Sequence, residues 1–404
     1  MRGELENNPG LLKLHLFCQG LHLDPSCDIE RDGRPIRRTR AGLGSGLELV
    51  LPDGLYVNVP VLEKWVAGTP FSLHRQAGRY GLRHDGRHLC DVRLPPPPAF
   101  YERKTTSGVP MSRVGVLQGT YLAVYPTAVC HYWEHRPRVC CKFCSVGLNL
   151  GENEDAEKTV QDVVETAMAA RKETGITFVH FNTGYYEGDS SLDRIEPYVA
   201  AVKKATGLLI GVQAPPHPDF GRYDRLRQLG VNNVSFCLEL WDQDRFAQIC
   251  PGKAAHVGRQ RYLDAIRYCA RVFDTTNGEL VAGLEPAERT IEAIDWITDV
   301  GAIPTVCVFR PLQGTELEDA APPTPEAMIP IFRHLYEACR RRRLPLGMAP
   351  RIKVGIVLLP EEGRYFLEEE NRYRWAELRA VPLRALFRTA FYGKLAVRSL
   401  LRRG

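Results

Sequence analysis

The chain has 404 residues, 44% of them hydrophobic and 25% charged, the composition of a globular protein able to bury a sizeable core. Its 53 basic and 48 acidic side chains leave a formal charge of +5, too mild to imply nucleic acid as a partner. No apolar run reaches the roughly 20 residues of a membrane span. The start, "MRGELENNPGLLKLHLF", lacks the apolar core and small-residue cleavage site of a signal peptide, so a cytoplasmic chain is expected.

Residues 1–100 read as a small β-rich domain. "GLELVLPDGLYVNVPV" is strand, Pro-Asp-Gly turn, strand, and "YGLRHDGRHLCDVRL" repeats the device around Asp85-Gly86. Pro95 to Pro98 can continue neither helix nor ladder, which marks a stiff linker. From there the texture changes to apolar runs alternating with helical periods. The strands are "VGVLQGTYLAV", "GITFVHFNTG", "GLLIGVQA", "NNVSFCLEL", "GELVAGLE" and "AIPTVCVF". Helices are expected near 156–174, 192–206, 223–229, 259–272 and 287–300. Strands that are apolar throughout and separated by helices argue for a parallel sheet. Six such units over 105–320 point to an open or partial α/β barrel, with a flat doubly wound sheet as the competitor. Residues 321–404 follow as a helical extension, with a helix near 325–343, the apolar run "IKVGIVLLP" and a basic tail. In that tail Arg384, Arg388, Lys394, Arg398 and Arg402 fall near one helical face, with Leu383, Leu386, Val397 and Leu401 available for burial on another. A solvated helix docked on its own domain is the expectation. Membrane-surface association is a further use of such a face.

Four of the twelve cysteines crowd into "VCHYWEHRPRVCCKFCS" between Val129 and Ser145. Without an export signal they are thiols in a reducing compartment, suited to metal or redox chemistry. Cys141 and Cys144 form a C-x-x-C hairpin and Cys130 supplies a third sulfur, with Cys140 in place of Cys141 as the other register. A zinc site completed by His131 or His135 is one reading. It would make the chain a zinc-stabilised binding protein, with Arg340 to Arg343 and the tail as its basic surface. The other is a [4Fe–4S] cluster on three thiolates, which leaves one iron open. The knot follows directly on "GTYLAVYPTAV", at the carboxyl end of a strand, where α/β barrels build their sites. The remaining eight cysteines read as buried and inert.

A three-cysteine loop after the first strand of a six-unit barrel resembles the radical S-adenosylmethionine superfamily. The ten residues between Cys130 and Cys141 are more than the usual three. The segments "TTSGVP", "CKFCSVGLNL", "NTGYYEGD", "GVQAPPHPD", "LELWDQDRFAQICPGKA", "VAGLEPAERT" and "FRPLQGTELED" stand in the expected order. That set looks most like the radical S-adenosylmethionine proteins of nitrilase-linked bacterial gene clusters. The barrel also resembles the biotin synthase and pyrrolysine-biosynthesis branch. The paired cysteines resemble those of the enzyme of arsinothricin formation, which transfers a 3-amino-3-carboxypropyl group.

The resemblance implies a partial (β/α)6 barrel and two cofactors, a [4Fe–4S] cluster on Cys130, Cys141 and Cys144 and S-adenosylmethionine. It implies that Phe143 offers its backbone to the adenine, and that Asn182, Thr183 and Gly184 meet the methionine amino group. Glu239 would accept from the ribose hydroxyls, with a helix-entry carboxylate as its structural alternative. Gly283 and Glu285 would form the fifth-strand turn beside the adenosine, and Val308 and Arg310 would lie near the adenine. Tyr185, Tyr186 and Glu187 are candidates to touch a small-molecule substrate. A flavodoxin- or ferredoxin-type protein would be the electron donor.

Overall fold

The computed structural model describes residues 2–29, 37–38, 45–151, 153–369 and 372–400. Seven strands make the central sheet: β1 (Val116–Gln118), β2 (Tyr121–Val124), β3 (Phe178–Asn182), β4 (Leu209–Gln213), β5 (Asn233–Glu239), β6 (Thr275–Ala282) and β7 (Ile303–Val308). Their spatial order is β7-β6-β5-β4-β3-β2-β1. β1 and β2 are an antiparallel hairpin, and β2 to β7 are parallel throughout. A doubly wound sheet reverses its strand order partway. Here the order never reverses, so right-handed crossovers place all the helices on one face and the sheet curls around the other. The result is a partial (β/α)6 barrel.

The helices follow local signals. Val160–Thr174 starts at Thr159, which forms a capping box with Asp162, and stops at Gly175 in the left-handed conformation (φ 68°). Val163, Ala167 and Ala170 bury one face of it. Ser191–Thr206, Gly221–Gln228, Arg259–Val272 and Ala287–Asp299 follow the next four strands. The helix Pro325–Arg341 packs on β7 and on Ala287–Asp299, so it completes the sixth unit of the barrel.

The first hundred residues carry the two expected hairpins. Strands Ser45–Val50 and Tyr56–Val59 turn at Asp53-Gly54, and Arg79–His84 and Arg87–Val92 turn at Asp85-Gly86, each with positive φ. They are preceded by two helices, Arg2–Asn7 and Pro9–Gln19, which the β-rich reading did not name. Pro9 at the helix start and the Asn8 side chain accepting from Leu11 N explain the second of these.

The run "IKVGIVLLP" forms only an isolated bridge, Leu358 with Val306 of β7. Residue 353 meanwhile exchanges hydrogen bonds with Thr120 in the β1–β2 turn. This segment therefore spans the gap between the first and last strands and floors the barrel. The amino-terminal unit backs it. Asn58 N donates to Gly355 O at 2.7 Å, and the buried Lys13 donates to Val354 O and pairs with Glu362 at 2.8 Å.

The carboxyl-terminal helix Arg374–Leu400 departs from expectation. Leu383, Leu386 and Val397 are exposed instead of docked, while Arg384 turns back to Leu346 O and Glu377. Leu401 and Arg402 lie outside the described residues. Arg340, Arg341 and Arg342 are engaged with Glu377, Asp295 and Asp299, so they do not form an open basic surface. No helix among the described residues is long and apolar enough to cross a membrane.

Candidate functional site

At the carboxyl ends of β2 to β5 lies a cavity of about 110 Å³. Cys130, Cys140, Cys141, Phe143 and Cys144 line it, together with Asn182, Thr183 and Gly184 from the end of β3 and Glu239 from the end of β5. Residues separated by more than a hundred positions thus meet at one point.

Cys130 caps the short helix His131–Glu134 and accepts a hydrogen bond from Tyr185 N at 3.4 Å. The loop after β3 comes this close only because residue 184 is glycine. A Cβ there would lie 2.4 Å from Cys130 Cβ and 2.6 Å from its Cα. Gly184→Ala is expected to push Cys130 out of place. It should cost about 1–3 kcal/mol from overpacking and lower the metal bound per chain, read by thermal melting and by iron analysis after reconstitution.

The four thiols of the knot differ. Burial pushes Cys130, Cys140 and Cys144 up from the ordinary range. Cys141 is held below it by a hydrogen bond with Cys250, against burial and with help from Lys253. Cys250 was expected to be inert, but here it touches a candidate ligand. The sequence holds no local sign of this. Cys140 Sγ turns to Cys141 O at 3.5 Å. Among the described residues, the metal-ligating side chains whose atoms converge within 4.8 Å are His131, Glu134 and His135, not any three of the cysteines.

Glu239 sits at a register shift in β5 with φ 68°, a conformation costly for a residue with a side chain. The bulge turns the carboxylate into the cavity, where it pairs with Lys253 at 2.5 Å. Lys253 also donates to Cys237 O at 3.0 Å. Burial alone would lower the lysine pKa, but Glu239, Tyr262 and the nearby thiols hold it well above the ordinary value. Sequence reasoning missed Lys253. Its one signal was its place in "ICPGKA", a turn after the β5 carboxylate.

The other sequence-derived residues go elsewhere. Gly283, Glu285, Val308 and Arg310 do not line this cavity. Glu285 accepts from Trp241 N, Asp242 N and Thr290 Oγ1 and so ties down the loop after β5. Gly283 (φ 101°) makes a turn in which a Cβ would meet Pro323 at 2.9 Å. Val308 is buried beside Ala282, its register partner in β6. Arg310 is buried too, donating to Asn58 O and Ile356 O and lying 4.4 Å over the Phe17 ring. It joins the amino-terminal unit to the barrel. Tyr185 lines the cavity, stacked on Tyr132 at 4.5 Å. Tyr186 is hydrogen-bonded to Thr127, and Glu187 is exposed beside His131 at 3.3 Å.

No family model matches the chain. It is 27% identical over 117 residues to the bacteriochlorophyllide c C-7(1)-hydroxylase of Chlorobaculum limnaeum, covering 28% of this chain and 29% of that protein. Among solved structures it is similar to methylornithine synthase (PylB), 19% identical with a TM-score of 0.42, over 54% of this chain and 62% of that one. It is also similar to TsrM from Kitasatospora setae, a radical S-adenosylmethionine methyltransferase with cobalamin and a [4Fe–4S] cluster bound. That match is 14% identical with a TM-score of 0.36, over 57% of this chain and 47% of that one. The chain spans less than two thirds of each of these proteins.

Proposed function

We propose that the chain is a radical S-adenosylmethionine enzyme acting on a small molecule, with Cys130, Cys141 and Cys144 holding a [4Fe–4S] cluster. One observation carries this reading. Three cysteines, one of them ten residues from the next pair, meet the ends of β3 and β5 in one buried cavity at the carboxyl rim of a partial barrel. The donors suit the group, being three thiols that line one cavity, with a backbone N–H directed at one sulfur.

When bound, the cluster and S-adenosylmethionine together supply a 5′-deoxyadenosyl radical that takes hydrogen from an unactivated carbon. The protein's part is to bind, orient and exclude water. Asn182, Thr183 and Gly184 stand beside Cys130 to receive the methionine end, Phe143 stands beside the cysteines for the adenine, and Glu239 is the carboxylate for the ribose. Lys253 pairs with that carboxylate and fixes its position. We place the chain nearest the proteins of nitrilase-linked gene clusters on the strength of the ordered segments, with residues 1–100, 105–320 and 321–404 as its working units. All twelve cysteines are free, which supports a cytoplasmic location and a flavodoxin- or ferredoxin-type donor.

The test is anaerobic reduction of the reconstituted protein with S-adenosylmethionine. Slow release of 5′-deoxyadenosine is expected even without substrate. Methylthioadenosine in its place would mean that the other carbon–sulfur bond breaks and would favour 3-amino-3-carboxypropyl chemistry. Stoichiometric zinc and no iron would end the enzyme reading in favour of a zinc-stabilised binding protein.

A further inference from the structure

Beneath the cysteine cavity, inside the barrel, is a second cavity of about 170 Å³. The two share Asn182 and Gln213 as a neck. A (β/α) barrel normally fills its inner face with Val, Ile and Leu. This one presents Asn233 and Ser235 from β5, Asn277 and Glu279 from β6 and Thr305 from β7. The amides form a ladder across the strands. Asn233 donates to Asn277 Oδ1 at 2.6 Å, and Asn277 donates to Thr305 Oγ1 at 3.0 Å. The floor is apolar, from Ile352, Val354 and Ile356 of the segment that spans the barrel's gap. Polar walls over an apolar floor have the anatomy of a small-molecule site.

The chamber's charge selects its occupant. Glu279 stands at the neck, accepting from Gln213 Nε2 and from Cys237 Sγ at 3.3 Å. Among the described residues that line the chamber there is no lysine and no arginine. The lysine of the adjoining cavity, Lys253, is committed to Glu239. Burial, with Glu239 nearby, pushes the Glu279 carboxyl up from the ordinary range against the opposing pull of Ser235, Cys237 and Lys253. A carboxylate or phosphate brought here would lose its hydration and face Glu279 with no lysine or arginine on the described walls, where His180 is the one imidazole. An ammonium group would complete the site.

We infer that this chamber binds a small aliphatic amine, its ammonium group against Glu279 at the neck and its carbon chain on the apolar floor. The inference rests on the reading above, whose substrate class it names. A carbon next to the neck is then the one nearest the cysteine cavity.

Three probes of one chain length separate the charge classes: 6-aminohexan-1-ol, 1,6-hexanediol and 6-hydroxyhexanoate. Each is titrated calorimetrically into the full-length, cluster-reconstituted protein. The amine is expected to bind at least about tenfold tighter than the hydroxy acid, with the diol between them. Glu279→Gln should erase that preference. Equal binding of amine and acid, binding of none of the three, or a preference that survives in folded Glu279→Gln protein would overturn the inference. The wild-type series needs no variant, so a variant that fails to fold leaves the test intact. Release of 5′-deoxyadenosine from the same preparation tests the underlying reading separately. Cleavage without amine selectivity removes the substrate class and leaves the enzyme assignment standing.

Discussion

Alanine at Cys130, at Cys141 or at Cys144 is expected to reduce the metal content of reconstituted protein from about four irons and four sulfides per chain to none. Cys140→Ala should retain the brown cluster. A metal must displace a proton from each thiol ligand, and that exchange is easiest where the thiolate is already favoured. Cys141 has this advantage, because Cys250 hydrogen-bonds to it and Lys253 is near. Cys140 does not, since burial and the neighbouring thiols oppose its ionisation. Iron and sulfide assays with absorbance spectra on the four single variants decide the matter. Loss of the cluster in Cys140→Ala with retention in Cys141→Ala would shift the ligand register by one residue.

Glu239→Gln should have two separable effects. It strands the Lys253 ammonium in a buried site, where its side chain is 13% exposed. Removing one partner of a buried pair costs about 3–5 kcal/mol, read as a lower unfolding midpoint. It also removes the acceptor proposed for the ribose hydroxyls. Charge-assisted hydrogen bonds of that kind contribute about 1.5–3 kcal/mol, so the dissociation constant for S-adenosylmethionine should rise on the order of tenfold to a hundredfold. Adding Lys253→Met to Glu239→Gln separates the two. The double variant should recover much of the stability, because no uncompensated charge remains, and none of the affinity. If the double variant recovers affinity as well, Glu239 acts only as a partner for Lys253 and is not a cosubstrate ligand.

The alternation of apolar runs and helical periods, with Thr159 and Gly175 bounding the first barrel helix, is local information. It was enough to position six strands and most helices within a few residues. The crowding of the loop cysteines beyond a strand end was equally legible, and the fold gathers them around one cavity at the barrel rim. Fold class followed from the order of the elements, but the choice between a partial barrel and a doubly wound sheet did not. That rests on which strands become neighbours, and the unreversed order of the sheet decides it. The run "IKVGIVLLP" has the composition of a strand, yet it plugs the gap between the β1–β2 turn and β7, since its partners are two edges distant in the chain. Arg310 and Glu285 illustrate the same limit. Each stands near a strand end, as a ligand contact would, and each is occupied by backbone groups that only the folded chain brings to it. Lys253 and Cys250 were marked only by their place in "ICPGKA", and Glu279 carried no periodic or motif signal. Their significance lies in what they face, and a side chain's facing partner across a barrel is set by the closure of the sheet, not by its neighbours in the chain.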